Sequence, residues 1–254
     1  MALIIKSSAF GFVHSAFSFH KYMPDLSYRT DTLEIMDDFD LPSAEITPVL
    51  EGLGKMNALF GGHKSIIKSL KKFAVGNGYS VSDWGCGGGD TLIAIAKWAK
   101  SKQVDLNLNG VDAAPSAVNY ARQQALNYSN IYFTQADVID EAYLIKPVDL
   151  IICSLFTHHF DDERWVKLIQ NMEASAQKGI VITDLHRHWL LYHAIVFITH
   201  VFTRNAMARN DGPLSVRRGF KKQELLVLLK KAQIDNFKLT WRWPFRWELI
   251  IYKS

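Results

Sequence analysis

The chain is poor in cysteine and has no paired cysteine motif. Only Cys86 and Cys153 occur among its 254 residues. Neither lies in a CxxC pair, which argues against a disulfide framework and against a structural zinc site. Isolated cysteines of this kind are typical of a reducing compartment. We therefore expect a cytoplasmic location.

A strong excess of one charge sign is also missing. The 29 lysines and arginines exceed the 25 acidic residues by only four. The basic residues are dispersed, apart from short pairs such as Arg217-Arg218. Nucleic-acid-binding surfaces usually show a concentrated basic patch. We expect no nucleic-acid partner.

Long uninterrupted apolar runs are absent as well. Residues 1–22 are apolar and aromatic, but Lys6 and His14 interrupt them and no basic segment precedes them, so we expect no secretory signal. The longest later run, 189–202, contains two histidines and is shorter than the roughly 20 residues of a spanning helix. We expect no membrane-spanning segment. Whether 189–202 forms a lid, a dimer interface or a peripheral membrane contact stays open.

The first part of the chain has helical periodicity. Between 41 and 74, apolar residues recur every three or four positions, which predicts two amphipathic helices broken at Gly61-Gly62. Residues 1–74 are therefore interpreted as a helical N-terminal cap that precedes the main domain.

Beyond residue 75 the patterns of strand and helix alternate, which favours a parallel sheet covered by helices on both faces. The chain ends in two strand patterns joined by a short turn at Pro244, so one terminal strand runs antiparallel. The predicted strands are "YSVSDW", "VDLNLNGVD", "NIYFTQADV", "VDLIICSLF", "GIVITDL", "NFKLTWRW" and "FRWELIIYKS", and the helices are "DTLIAIAKWAKS", "PSAVNYARQQALN", "DEAYLI", "DDERWVKLIQNMEASA" and "KKQELLVLLKKAQ". The prediction is an α/β fold: a doubly wound, mostly parallel seven-stranded sheet over 75–254, with an insertion at about 185–218.

A glycine-rich turn, "DWGCGGGD", joins the first predicted strand to its helix. Glycine lets a ligand approach bare backbone at the carboxyl edge of a parallel sheet, where such folds bind nucleotides. Dinucleotide sites use G-x-G-x-x-G, but Asp90 stands in place of the third glycine and would repel a pyrophosphate. A ligand with a cationic amino-acid portion is compatible with these acids.

This turn resembles the D/E-x-G-x-G-x-G motif of class I methyltransferases that use S-adenosylmethionine. The resemblance extends over roughly 75–185 and implies a Rossmann-like methyltransferase fold, with S-adenosylhomocysteine as the product. It also implies a ribose contact at Asp112, an adenine contact in "TQADVID" and a methionine contact in "DLIICSLFTHHF". The cofactor-binding residues implied in this way are Asp83, Gly85, Cys86, Gly87, Gly89, Asp112, Ala113, Asp137, Val138, Ser154 and Leu155.

The candidate catalytic residues are histidines near the ends of the fourth and fifth strands. If the acceptor is a hydroxyl, a base has to remove its proton, and histidine suits this task because its pKa lies near neutrality. We predict His158 and His186 for this role; each is also explained as a helix cap or brace. Asp184 alone does not make a hard-cation site, so no metal is expected.

The insertion at 185–218 is long for a strand-to-helix link. Together with the cap helices it is predicted to form a lid over a lipophilic acceptor; packing against the core or a partner subunit is an equal alternative. The stretches "DLHRHW", "DGPLSVRRGF" and "MNALFGGHKSI" resemble bacterial methyltransferases of polyketide, quinone or aryl-lipid pathways. The candidate substrate residues are Phe60, His159, Arg187 and Arg218.

The leading hypothesis is therefore methyl transfer to a hydroxyl of a lipophilic aromatic or polyketide-like small molecule. One alternative is methylation of a quinol or aromatic ring carbon with the same cofactor. A second is a partner subunit that binds the cofactor without turnover, and the least favoured is a nicotinamide oxidoreductase. A homodimer is compatible with all of them.

Overall fold

The computed structural model describes residues 24–140 and 147–253. Within these residues, seven strands form one sheet in the order β3-β2-β1-β4-β5-β7-β6. The strands are β1 (Tyr79–Trp84), β2 (Leu106–Asp112), β3 (Ile131–Gln135), β4 (Val148–Ser154), β5 (Ala176–Leu185), β6 (Phe237–Arg242) and β7 (Arg246–Tyr252).

The first five strands are parallel, and β7 runs antiparallel to both β5 and β6. The predicted fold class, with its reversed last strand, is confirmed. The strand order reverses between β1 and β4: β2 and β3 lie on one side of β1, and β4 and β5 lie on the other. Open parallel sheets bind ligands at the carboxyl ends of the strands beside such a reversal. The functional site is therefore sought there.

Helices cover both faces of the sheet. They are α1 (Ser43–Leu59), α2 (Gly62–Leu70), α3 (Asp90–Ser101), α4 (Pro115–Gln124), α5 (Asp162–Ser175), α6 (Trp189–Phe202), α7 (Ala206–Arg218) and α8 (Lys222–Lys231). One buried cluster joins α2, α3 and α4 to the sheet, and a second joins α5 and α8 to the other face. The helices in these two clusters each bury one apolar face, as the spacing of their residues predicts.

Local signals account for most helix starts. Pro115 occupies the first turn of α4, where its missing N–H costs nothing. Asp161 and Asn205 cap α5 and α7, because their side chains accept the backbone N–H groups of Arg164 and Ala208. The predicted helices at 41–74 are found as α1 and α2.

The second helix of the cap, α2, shares a hydrophobic core with the sheet domain. Ile66 and Leu70 of α2 are fully buried against the sheet, while α1 packs on α4 in a small separate cluster. The division at residue 74 stays a prediction. The predicted helix "DEAYLI" and the opening segment 1–22 fall outside the described residues, except for Asp140.

The insertion at 185–218 consists of two helices, α6 and α7. Helix α7 packs against two short helical turns, Ile35–Asp37 and Thr157–His159, the second of which follows β4. This places α7 over the carboxyl edge of the sheet, whereas its role as a lid stays a prediction. In the described ranges, no helix is long and apolar enough to cross a bilayer.

Candidate active site

The glycine-rich turn between β1 and α3 is tightly wound. Gly85, Gly87 and Gly89 all have positive φ angles, of 71°, 49° and 74°. Gly85 is also in close contact with an aromatic ring: a Cβ built there would lie 2.2 Å from the ring of Phe156. This backbone therefore needs glycine for both conformation and space.

Buried carboxylates surround this turn. Asp83, at the end of β1, is almost fully buried, and its Oδ1 has no hydrogen-bond partner among the described residues. Burial raises the pKa of Asp83 well above its usual value, and the nearby charges of Asp90 and Asp112 raise it further. Such a concentration of acid favours a cationic ligand.

Asp112 ends β2 and faces the same turn. Its Oδ2 accepts a hydrogen bond from Gly87 N at 2.8 Å, and its Oδ1 accepts one from Ala114 N at 3.0 Å. Burial raises the pKa of Asp112, although these backbone bonds oppose the shift. Each carboxylate oxygen has a further lone pair, so the side chain is able to accept two ligand hydroxyls. Ala113 lies next to it, half-buried.

The remaining implied cofactor residues take different positions. The Asp137 carboxylate accepts from Ile139 N at 2.9 Å, and Val138 and Cys86 are buried in the core clusters. The Ser154 hydroxyl accepts from Thr183 Oγ1 at 3.1 Å. Leu155 has a left-handed backbone with φ of 54°, a strained conformation that often accompanies functional sites. Their contacts with a cofactor stay a prediction.

His158 lies buried in the turn Thr157–His159, directly after β4. Its Nδ1 lies 2.7 Å from Asp184 Oδ1, at the end of the adjacent strand β5. We assign the proton to Nδ1, because a carboxylate partner fixes this tautomer, so Nε2 is the basic nitrogen. A carboxylate behind Nδ1 also stabilises the charged ring when Nε2 takes up a proton.

Asp184 is held as an anion. Its Oδ2 accepts hydrogen bonds from Thr157 Oγ1 at 2.7 Å and from His158 N at 3.1 Å. Burial by itself would raise the pKa of Asp184, but the charge and hydrogen bonds of His158 and Thr157 outweigh it and lower the pKa to about 2. The carboxylate is therefore charged over the physiological pH range.

Glu34, from the segment that precedes α1, faces the other side of the imidazole. Its Oε1 lies 3.6 Å from His158 Nε2, which is too long for a hydrogen bond, and neither atom has a partner among the described residues. Its Oε2 accepts from Ser215 Oγ at 2.9 Å. Burial raises the pKa of Glu34 to about 7. Glu34 is thus largely neutral below pH 7.

His159 stacks beside His158, with ring centroids 4.4 Å apart. Its Nδ1 lies 2.5 Å from Asp37 Oδ1, and Arg218 Nη1 donates to Asp37 Oδ2 at 2.6 Å. Burial would raise the pKa of Asp37, but these two partners lower it below its usual value. Each histidine is therefore backed by a carboxylate.

This cluster also offers a possible set of metal ligands. One donor atom from each of Glu34, His158 and His159 lies within 4.8 Å of the others. Two imidazoles and a carboxylate suit a transition metal better than Mg²⁺. The expectation that no metal is bound stays a prediction.

Three arginines fasten residues 24–41, which we call the N-terminal strap, across the site. Arg187 donates to the carbonyls of Leu26 and Ser27 and pairs with Glu224. Arg218 donates to Thr32 O, and Arg29 donates to Phe160 O at 2.6 Å. Arg187 and Arg218 are buried, and both donate hydrogen bonds to other residues of the protein. These contacts hold the strap in place, and contact of either arginine with substrate stays a prediction.

His186 is not joined to the His158 cluster by any described contact. Its Nδ1 accepts from Trp241 Nε1 at 3.2 Å, and its ring lies near Phe245 and Trp247 of the β6–β7 hairpin. Burial lowers its pKa, with the charge of His188 adding to the shift. The observed contacts favour a packing role, and its catalytic role stays a prediction. Phe60 lies half-buried at the end of α1.

Sequence reasoning missed Glu34, Asp37 and the role of Asp184. The pairing of Asp184 with His158 could have been predicted, because Asp184 lies near the end of a parallel strand adjacent to the strand that precedes His158, and the ends of parallel strands meet at one edge of the sheet. Glu34 and Asp37 stand in the acidic stretch "TDTLEIMDDFD", which gives no sign that two of its members are enclosed.

Comparisons with known proteins agree with this architecture. The sequence profile of a family described as "Methyltransferase domain" matches residues 81–179. A search of curated proteins finds no sequence match. Among solved structures, the chain is similar to magnesium protoporphyrin IX methyltransferase (ChlM) from Synechocystis PCC 6803 with bound SAM, at 18% identity over 76% of this chain and 79% of that chain, with a TM-score of 0.52.

Two further structures share the fold. An O-methyltransferase family protein from Burkholderia thailandensis is 14% identical over 89% of this chain and 65% of that chain, with a TM-score of 0.61. The plantazolicin methyltransferase BpumL in complex with SAH is 17% identical over 69% of this chain and 76% of that chain, with a TM-score of 0.53. At such identities the likeness establishes the fold and leaves the acceptor open.

Proposed function

We propose that this chain is a class I S-adenosylmethionine-dependent methyltransferase that transfers a methyl group to a hydroxyl of a lipophilic aromatic or polyketide-like small molecule. The methyltransferase profile over residues 81–179, and structures of the same fold that hold SAM or SAH, support S-adenosylmethionine as its cofactor. The observation that carries the choice of a hydroxyl is the buried His158–Asp184 pair beside the glycine turn. A hydroxyl loses a proton on methylation, and a carboxylate-backed imidazole is suited to accept it.

The residues around the glycine turn fit this cofactor. The buried Oδ1 of Asp83 has no hydrogen-bond partner among the described residues, and each Asp112 oxygen has a lone pair beyond its backbone hydrogen bond. Gly85 and Gly87 would expose backbone to the amino-acid portion, and Asp112 would accept the ribose hydroxyls. When bound, the cofactor would supply an electrophilic methyl group on a sulfonium; the acceptor oxygen would attack this methyl group in line with the carbon–sulfur bond, and the neutral thioether of S-adenosylhomocysteine would leave.

His158 is proposed as the base. Its Nε2 takes the proton of the acceptor hydroxyl as the oxygen–carbon bond forms and the carbon–sulfur bond breaks. Asp184 keeps the ring in the required tautomer and stabilises the imidazolium. The proton then leaves from Nε2 to solvent when the product departs. Burial of the pair excludes water from the methyl group during the transfer.

Glu34 marks the place that the acceptor has to reach. Its Oε1 stands in front of His158 Nε2 at 3.6 Å, so the acceptor hydroxyl approaches only if the Glu34 side chain or the N-terminal strap moves. An ionised Glu34 would gain hydration on leaving this buried position, so ionisation of its carboxyl favours displacement. Access to the base is therefore linked to the strap.

Two observations support a lipophilic small-molecule acceptor. The rings of Phe156 and Phe160 pack together beside the His158 turn. Solved structures of the same fold include a methyltransferase named for magnesium protoporphyrin IX and one named for plantazolicin.

The test combines calorimetry with methyl transfer. Purified protein is titrated with S-adenosylmethionine and S-adenosylhomocysteine, and then assayed with radiolabelled cofactor on a panel of phenols and cyclic diketones with and without alkyl tails. His158→Gln should keep cofactor affinity and lose about 10²–10⁴-fold in kcat. The matched control is His193→Gln, an exposed histidine on α6.

The outcomes separate the alternatives. A methyl group that demethylating treatment does not remove from the product indicates transfer to carbon and contradicts the proposal. Cofactor binding without transfer to any acceptor favours a non-catalytic partner subunit. Unchanged turnover in His158→Gln removes His158 as the base, and stoichiometric metal bound to Glu34, His158 and His159 does the same.

A further inference from the structure

Helix α6 presents an apolar surface to solvent. Trp189, Phe197 and Val201 are 54%, 63% and 57% exposed. With His193 they recur every four residues and lie along one side of the helix. The buried residues Leu191 and Thr199 occupy the opposite side, which packs toward α7. The exposed side is therefore not the face that joins the core.

The β6–β7 hairpin continues this surface. Trp243 at its turn is 73% exposed, and its ring packs on Phe245 at 5.5 Å. Phe245 in turn stacks on His188 at 4.9 Å, and His188 lies 5.8 Å from Trp189. An unbroken series of rings thus connects the hairpin turn to the start of α6. We call the surface formed by Trp189, Phe197, Val201, Trp241 and Trp243 the aromatic face.

Acidic residues are missing from both segments that form this face. No Asp or Glu occurs between Asp184 and Asp211, or between Asp235 and Glu248, whereas arginine occurs in both stretches and lysine in the second. Tryptophan is the side chain most favoured at a membrane–water interface, because its indole combines a large apolar area with one hydrogen-bond donor. Of the cations in these segments, Arg204 and Lys238 are exposed. Exposed indoles together with these two cations complement anionic lipid headgroups.

The chain enters the described structure at the same place. Pro24 and Leu26 line an open depression together with Trp189 and His193. The 23 residues that precede Pro24 also contain no Asp or Glu. Asp25, which lies between Pro24 and Leu26 and is exposed, is the nearest acid in sequence.

We propose that the aromatic face docks this protein on the surface of an anionic lipid bilayer, with α6 lying along the interface. A second copy of the chain would also cover these rings, and the test below separates it from a bilayer. In a two-fold symmetric contact the same surface of each copy faces the other, so the exposed cations Arg204 and Lys238 would gain no carboxylate partner from these two segments. This inference does not depend on which acceptor is methylated, although a lipophilic acceptor would be concentrated in the same bilayer.

The test measures vesicle binding. Wild-type protein is sedimented with vesicles of phosphatidylcholine alone and of phosphatidylcholine mixed with phosphatidylglycerol. The double variant Phe197→Ala/Trp243→Ala removes two exposed rings whose loss leaves no cavity. The matched control, Leu126→Ala/Tyr132→Ala, removes two side chains that are 81% and 62% exposed elsewhere, near the opposite edge of the sheet.

Wild type and control should bind the vesicles that contain phosphatidylglycerol more strongly than phosphatidylcholine alone, and the aromatic-face variant should partition at least about tenfold less. Brominated lipids should quench tryptophan fluorescence of the wild type. Equal binding by both variants, no preference for the anionic vesicles, or no vesicle binding by wild type would overturn the proposal. A dimer that only the Phe197→Ala/Trp243→Ala variant loses, in the absence of lipid binding, would assign the face to self-association instead. Coincident thermal melts show that the variants fold.

Discussion

The two halves of the site are built in different ways. On the cofactor side, around β1 and β2, neighbouring motifs contact one another over short separations, as Gly87 and Asp112 do across 25 residues. On the acceptor side, distant parts of the chain converge: Asp37 contacts His159 across 122 residues and Arg218 across 181. Local sequence therefore specifies the first half, whereas the second depends on tertiary packing.

The largest expected effect tests whether the halves act separately. Asp184→Asn removes the anion behind His158 and should lower kcat by about 10²–10⁴-fold while cofactor affinity is retained. Asp112→Asn should weaken cofactor binding by about tenfold to a hundredfold and leave kcat at saturation within a few-fold. Steady-state kinetics and calorimetry on both variants measure this split. If Asp184→Asn weakens cofactor binding as much as Asp112→Asn does, the separation into two halves is wrong.

A methyl group added to the glycine turn should disturb both halves at once. In Gly85→Ala the new Cβ meets the Phe156 ring, and φ of 71° is unfavourable for alanine. We expect a loss of roughly 2–4 kcal/mol in the free energy of unfolding, together with weaker cofactor binding. Urea denaturation and calorimetry measure both. The matched control is Gly52→Ala within α1, where a Cβ meets nothing within 4 Å; its stability should not fall.

The buried Glu34, on the acceptor side of the site, should make the stability of the protein depend on pH. Burial raises its pKa to about 7 in the folded protein from 4.5, so between these pH values the unfolded chain ionises while the folded chain stays protonated. Stability that is present below pH 4.5 is therefore lost as the pH rises toward 7. Glu34→Gln removes this loss, and its stability relative to wild type should rise by about 3 kcal/mol between about pH 4 and about pH 8.

Urea denaturation across this range, with the exposed Glu51→Gln as control, tests the Glu34 prediction. A difference between Glu34→Gln and wild type that does not change with pH would mean that Glu34 is ionised in the folded protein. The control variant should follow the wild type at every pH, because Glu51 is exposed on α1.

The smallest effect concerns the N-terminal strap. Arg187→Lys keeps the charge but loses the forked contact with Glu224 and the carbonyls of Leu26 and Ser27. We expect a loss of about 1–2 kcal/mol in stability and faster proteolytic cleavage within the strap. Arg164→Lys, at an exposed position on α5, is the control. Equal cleavage rates in the two variants would show that Arg187 does not hold the strap.

The sequence predicted the sheet domain well because its signals are local. The observed bounds of β1 and α3, Tyr79–Trp84 and Asp90–Ser101, coincide with the predicted stretches, since alternation, glycine and a helix-starting acid lie within one window. The predicted second strand began two residues too early, at Val104, and strand ends are set by pairing with neighbours that the sequence does not display.

The acceptor side was harder to predict. The helices predicted from the sequence include none within the insertion at 185–218, yet "RNDGPLSVRRGF" belongs mostly to α7, where Asn205 supplies the cap and Met207 and Leu214 are buried. Pro213 and Gly212 argue against a helix by propensity, but tertiary packing outweighs such preferences. Arg187 and Arg218 were predicted to contact substrate, because a sequence does not show which arginine side chains are buried and hydrogen-bonded within the protein.

The strap also bears on how the protein is made. Glu34 is synthesised before its partner Ser215 and before Arg187 and Arg218, which hold the strap. During translation the Glu34 carboxylate therefore stays hydrated until these residues have left the ribosome. A nascent chain stalled before Asn205 would lack Ser215 and Arg218, so Glu34 and Thr32 would be without these partners and the acceptor side of the site would be incomplete.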